Sequence, residues 1–339
     1  MLLLGVALAQ DLEVGGHASA NLRLGGCQPP YLGLCPWMDF HDAAVIGGQV
    51  DARFARAADA RVAVDLRAHA GSGNRTLEES GDVGLSQNTS LKLYDAWIGS
   101  YGHFVDVRVG SQRLAWGSAD GLSPVDVVNP YDLEDPTRFD RRLAVPMGRV
   151  RLHGAGQGWL ELAVVPWFTP ALMPTDVIDV LGDNEGRLDL IEANAEIGTL
   201  QSRVDVPPVQ LSEVALGARL YLPTTRGEFA LSAYRGRDSL PQVGGELRIT
   251  GFASDNDRVD LGVPVLYPRV LQGGFEWRGE LGHGAIGWVE AVLVLPQVVE
   301  LTFNQAQLEN LERLGTLDEV PDPPPRQTVQ DGRPYPRVV

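Results

Sequence analysis

The chain has 339 residues, with 28 basic side chains against 44 acidic ones and a formal net charge of -16. Such an acidic balance repels nucleic acid and anionic membrane surfaces as partners, and 44% hydrophobic content with 21% charge excludes a disordered polyelectrolyte. Lys92 is the only lysine, which almost excludes a phosphate-loop or Schiff-base lysine, and 39 glycines favour turn-rich β structure over packed helices.

The apolar run Met1 to Ala9 is about half of the roughly 18 residues that a membrane-spanning helix needs. It ends in Ala7-Leu8-Ala9 before Gln10, the small-x-small pattern of a secretory cleavage site, although it lacks a basic leading region. Residues 1–9 therefore read as the remnant of a signal peptide, with an apolar N-terminal strand as the lesser alternative, and 10–339 as one domain. Export suits Cys27 and Cys35, which frame a seven-residue segment and form a candidate disulfide in an oxidising compartment.

Period-two alternation begins at once. Leu12, Val14, Gly16 and Ala18 alternate with Glu13, Gly15, His17 and Ser19, and the pattern returns at Val62 to His69, at Val105 to Val109 and around Phe275 to Arg278. It predicts strands at 11–24, 43–56, 61–70, 91–99, 104–116, 148–154, 159–168, 213–222, 228–237, 268–279 and 285–295, with a twelfth beginning near Tyr335. The links alternate long and short. The short ones, 57–60, 100–103, 155–158, 223–227 and 280–284, are mostly rich in Gly or small polar residues and suit hairpin turns.

Six long structureless links are foreign to a compact soluble domain. They are the norm in a transmembrane β-barrel, which has tight periplasmic turns, long outer loops, an apolar face toward lipid and a polar face toward the lumen. The fold expected is all-β: an antiparallel meander closed as an outer-membrane barrel of 12 or more strands. The chain is expected to continue for at least two more strands, because a barrel ordinarily ends on a strand closed by an aromatic residue. A secreted β-sandwich or β-helix is the soluble alternative. Tyr101, Phe104, Trp159, Trp167, Phe168, Tyr221, Phe229, Tyr234 and Trp288, near strand ends, are the expected interfacial aromatics.

The segment Val109-Gly-Ser-Gln-Arg-Leu-Ala-Trp116-Gly-Ser-Ala-Asp120-Gly-Leu-Ser-Pro124-Val-Asp126-Val-Val-Asn129-Pro-Tyr-Asp132 resembles an uncharacterised, porin-like family of Gram-negative outer-membrane proteins. That family's segment reads roughly Gly-Arg-Gln, Trp-Gly, Asp-Gly, Pro-x-Asp and Asn-Pro-x-Asp after a strand. Here Ser111 stands where Arg is expected. The resemblance implies a single-chain outer-membrane barrel and brings no substrate with it. Read physically, Pro124 and Pro130 force an extended, turn-punctuated path that neither a helix nor an inner strand accepts. Such a segment can fold into a barrel and narrow it, so Trp116, Asp120, Asp126, Asn129 and Asp132 form a candidate constriction loop. The six-residue spacing of the three aspartates raises a calcium reading, but the alternating ligand pattern of a calcium loop is absent, and turn-capping is the better account.

Local motifs for chemistry are lacking. The six histidines show no metal-binding spacing, there is no Gly-x-Ser-x-Gly, and Gly154 to Gly158 reads as a hairpin turn. No cofactor, metal or catalytic residue is expected, although a triad assembled from distant strands, for instance a Ser with His153, is a further alternative. Asp51, Arg53, Asp65, Arg67, Asp106, Arg108, Arg151, Glu161, Arg219, Glu276, Arg278 and Glu290 fall on the expected polar faces and are the candidate pore-lining residues. Their signs balance, which predicts paired charges and weak ion selectivity from the strands. The acidic excess is expected in the links, above all at 171–197. A short helix is expected within 302–315, capped by Asn304, with Leu308, Leu311 and Leu314 on one face.

The sequence thus points to a porin-like channel for passive passage or uptake of small solutes. Its expected surroundings are outer-membrane lipid and the barrel-assembly machinery. A non-conducting barrel for surface binding or polysaccharide assembly, with its lumen plugged by the Trp116 to Asp132 segment, and an outer-membrane hydrolase are the alternatives.

Overall fold

A computed structural model describes residues 11–21, 42–55, 58–70, 83–86, 89–117, 123–133, 141–172, 196–253, 258–282, 285–313, 323–324 and 326–338. Twelve strands form one antiparallel meander. In chain order they are β1 (Asp11–Asn21), β2 (Asp42–Ala55), β3 (Ala58–Ala70), β5 (Thr89–Tyr101), β6 (Val105–Gln112), β7 (Val145–His153), β8 (Trp159–Val165), β10 (Ala215–Thr224), β11 (Gly227–Arg237), β15 (Arg269–Gly282), β16 (Ala285–Pro296) and β19 (Tyr335–Val338), each hydrogen-bonded to the next of the twelve. A short strand, β4 (Val83–Ser86), also pairs with β5. The protein is all-β, and each strand expected from the period-two pattern is present.

The sheet is not closed into a barrel. β1 pairs with β2 and β19 with β16, and the path between them ends at these two edges. Among the described residues, Tyr335–Val338 of β19 pair with Val294–Ala291 of β16.

The links sort by end, as the sequence predicts. Tight connections join β2 to β3, β5 to β6, β7 to β8, β10 to β11 and β15 to β16 at one end. The β7–β8 turn is a 3-10 turn in which Gly156 takes φ +75° and the Gly154 N–H donates to the Gly158 carbonyl at 2.8 Å.

Four of the long links at the opposite end are not structureless, which corrects the sequence reading: 71–90 holds β4, and 169–212, 238–267 and 296–334 hold the strands that follow. The last three contribute β9 (Glu196–Asp205), β12 (Gln242–Val243), β13 (Gly245–Ala253), β14 (Arg258–Leu266), β17 (Val299–Phe303) and β18 (Arg326–Gln330) to a second sheet. Two of its pairings, β9 with β14 and β13 with β17, are parallel. Parallel neighbours come from distant stretches of chain, so no hairpin signal marks them. The helix α1 (Gln305–Arg313) follows β17, capped as expected by the Asn304 side chain, which accepts from the Ala306 N–H at 2.9 Å. Leu308 of this helix is buried. Among the described residues no helix is long and apolar enough to cross a membrane.

Candidate functional site

The two faces of the main sheet differ: one exposes aliphatic side chains, and the other carries buried charged ones. In β16, Glu290 is 0% exposed, whereas Leu293 three residues on is 50% exposed. Register carries this division around the sheet. Leu12, Val14, Val50, Val62, Ile98, Val105, Val107, Val109, Leu152, Val164, Leu216, Leu231, Leu271 and Leu293 are exposed on one face. Asp51, Asp95, Asp106, Arg108, Arg149, Arg151, Glu161, Arg219, Glu276 and Glu290 occupy the other.

The candidate pore-lining positions all alternate onto that second, inner face. Asp51 and Arg53 pair in register with Arg61 and Asp59, and Glu276 and Arg278 with Glu290 and Trp288. Asp65 and Arg67 sit opposite Gly47 and Val45 of β2.

Register also corrects the aromatic girdle. Tyr101, Trp159, Tyr221, Tyr234 and Trp288 lie on the inner face, where Trp159 stacks on Tyr221 with ring centroids 5.0 Å apart. Proximity to a strand end does not fix which side an aromatic ring takes, whereas parity does. Phe104, Trp167 and Phe229 remain exposed.

Toward the tight-turn end the inner face carries charge in crossed pairs. Arg61 of β3 meets Asp51 of β2 at 2.5 Å, and Arg219 of β10 reaches across β11 to Glu276 of β15 through two bonds of 2.9 and 2.5 Å. Glu161 of β8 is buried and takes Arg149 at 2.6 Å, Arg151 at 2.9 Å and the Trp116 indole N–H at 3.0 Å. His153 Nε2 lies 2.8 Å from Asp106. Guanidiniums stack on rings: Arg108 over Trp97 at 3.7 Å, Arg151 over Trp159 at 4.3 Å.

The ion pairs thus form across strands rather than between neighbours two apart on one strand. Glu276 uses Arg219 rather than Arg278, which is exposed. Several true partners, Arg61, Arg113 and Arg142 among them, were not foreseen, because cross-strand register and loop approach leave no local signal.

Toward the long-link end the same inner face is apolar and covered. β6 ends at Gln112 rather than continuing to Trp116, and the chain turns inward. Leu114, Trp116, Val125 and Val128 then pack against Val145, Met147, Ala163, Val165, Ala215, Tyr234, Val270, Val292 and Val294. Gly217 makes room for the indole, since a Cβ there would come within 2.7 Å of Trp116 Cη2. Gly117 takes φ +95°, and a Cβ on it would collide with Ser123.

Polar bonds fasten this segment. Asn129, 1% exposed, accepts from the Leu114 N–H at 2.8 Å and donates to the Gln112 and Leu143 carbonyls at 3.0 and 2.7 Å. Ser123 Oγ donates to Glu290 at 2.6 Å, and Gln272 Nε2 donates to the Pro124 carbonyl at 2.9 Å. Asp126 meets Arg142 at 3.1 Å, and burial pushes its carboxyl up to about 6 despite that guanidinium. Asp132 lies 3.8 Å from Arg141. Asp126 and Asp132 thus face arginines, and among the described residues no cluster suited to a metal ion occurs. Asp120, the Cys27–Cys35 pair and the acidic stretch 173–195 lie outside the described residues.

Outside the sheet, Glu213 ties together the long-link ends of β11 and β15. Arg237 of β11 bonds it at 2.5 Å and Arg269 of β15 at 2.6 Å, and Arg237 also donates to the Tyr267 carbonyl. The two guanidiniums hold the Glu213 carboxyl down at about 2.

No family model matches the chain, and no curated protein matches it in sequence.

Proposed function

We propose that this chain is an outer-membrane β-barrel protein acting as a porin-like channel for small polar solutes, with the 113–133 segment as its constriction. The observation that carries this reading is the inverted amphipathicity of the meander, which exposes Leu and Val on the outside and buries Glu161, Glu276 and Glu290 on the inside. A sheet bearing an exposed apolar face around twelve strands gains stability in lipid and loses it in water. The regular sorting of tight turns to one end and long links to the other supports the same orientation. In lipid, unpaired edges are costly, so the proposal requires that the edges of β1 and β19 be closed in the membrane-embedded form.

The resemblance of the Trp116 to Asp132 segment to a porin-like family supports the reading further. One observation favours a non-conducting barrel instead: the segment is packed like a domain core, with Val125 wholly buried. Purified protein folded into detergent and added to a planar lipid bilayer separates the two. Discrete single-channel steps are expected. A persistently sealed record from protein that shows heat-modifiable gel migration would replace the channel with the non-conducting barrel.

A further inference from the structure

The inner-face charges do not balance locally. β6 and β7 place Arg108 directly opposite Arg149 in register, with Asp106 opposite Arg151 one step along. Like charges directly opposed across a ladder are destabilising unless a third group relieves them. Glu161 cannot relieve all three guanidiniums, because it already holds both Arg149 and Arg151. Asp106 is engaged with His153 and the Gly102 N–H. Arg108 is left with a neutral set of contacts: its Nη2 donates to Tyr101 Oη at 2.8 Å and its plane lies on Trp97. The Nε–H of Arg108 is enclosed and makes no hydrogen bond. These groups are not scattered, since Tyr101, Asp106, Arg108, Arg149 and Arg151 line a single hollow.

We propose that this hollow binds an oxyanion, the carboxylate or phosphate group of a small solute, with Arg108 as its principal ligand. Resting on the reading of this face as a lumen, the inference names the solute class. Three guanidiniums, of Arg108, Arg149 and Arg151, line the hollow with one carboxylate, Asp106, while Asp59 lies beside Tyr101 on the neighbouring strand. The guanidinium fork presents parallel N–H donors that match two oxygens of a carboxylate or phosphate, and the Trp97 face fixes its plane so that little side-chain entropy is lost on binding. An anion in the hollow would also separate Arg108 from Arg149.

Calorimetric titration of the folded, detergent-solubilised full chain with inorganic phosphate, and separately with succinate, tests this directly. Saturable binding of at least one anion is expected, weakened about tenfold or more in Arg108→Gln. Phosphate binding alone marks a phosphorylated solute class, and succinate binding alone a carboxylate class. Arg333→Gln, at an exposed arginine far along the chain, should bind as the parent does. If Arg108→Gln fails to fold, Arg151→Gln serves instead and should weaken the same titration. No saturable binding by the folded parent, or unchanged affinity in the folded variant, overturns the proposal. A sealed bilayer record with binding intact would remove the channel reading and leave the anion site standing; open channels without anion binding would do the opposite.

Discussion

The two halves of the inner face solve one problem in different ways. Alternation along twelve strands delivers a second face opposite the exposed aliphatic one, and something must fill or line it. At the long-link end a piece of chain does so: Leu114, Trp116, Val125 and Val128 complete an apolar core, and the polar atoms that enter with them are satisfied by Asn129, Ser123 and Gln272. At the tight-turn end charge pairs and aromatic rings line the wall, and a hollow remains. Packing fixes the first half, whereas electrostatics governs the second. A substitution in the covered half should therefore register mainly in stability and, in the proposed channel, in its bore, and one in the charged half mainly in the proposed anion binding.

The largest effect should come from Trp116→Ala. It removes a fully buried indole and the hydrogen bond to Glu161, so a loss of about 3–5 kcal/mol in the urea unfolding of detergent-folded protein is expected, together with larger conductance steps in the proposed channel. Unchanged stability would show that the segment does not belong to the core. Asn129→Ala comes next, because three backbone groups lose their partner at a buried site; about 2–3 kcal/mol should be lost, with the thermal midpoint as the check.

Glu213 lies outside the covered core and sharpens the contrast through pH. Its folded carboxyl is depressed to about 2 from 4.5, so its contribution is complete above about pH 4.5 and disappears as pH falls toward 2. Glu213→Gln should lower the midpoint at pH 7 by the equivalent of about 1–2 kcal/mol and should flatten the parent's decline between pH 4.5 and 2. A variant that still declines as steeply would place the acid sensitivity elsewhere. Smallest of all, Arg333→Gln, at an exposed ion pair, should change stability by no more than about 0.5 kcal/mol.

Much of the fold could be read from sequence because a strand's face is a local property. Val105, Val107 and Val109 against Asp106 and Arg108 state their parity in five residues, and a tight turn such as Gly154 to Gly158 states its own hairpin. What was not legible is non-local. β9 and β13 find parallel partners far along the chain, β14 and β17 respectively, and neither segment declares which it will choose. The inward turn after Gln112 depends on Gly217 being empty of side chain on a strand a hundred residues later. The candidate site divides in the same way. Glu161 and Arg151 were visible as polar-face residues, but the shared use of Glu161 by Arg149, Arg151 and Trp116, and the consequent isolation of Arg108, follow only from register.

The central claim is that the apolar face of the meander meets lipid and the charged face does not. With Cys27 and Cys35 replaced by serine, single cysteines from Leu231→Cys on the outer face and Ser232→Cys on the inner face can carry an environment-sensitive fluorophore in vesicles containing a lipid-bound quencher. The account predicts strong quenching at position 231 and little at 232, an alternation of one residue that only a lipid-facing strand produces. Equal quenching at both positions, or a label at 231 that reports water, would contradict it.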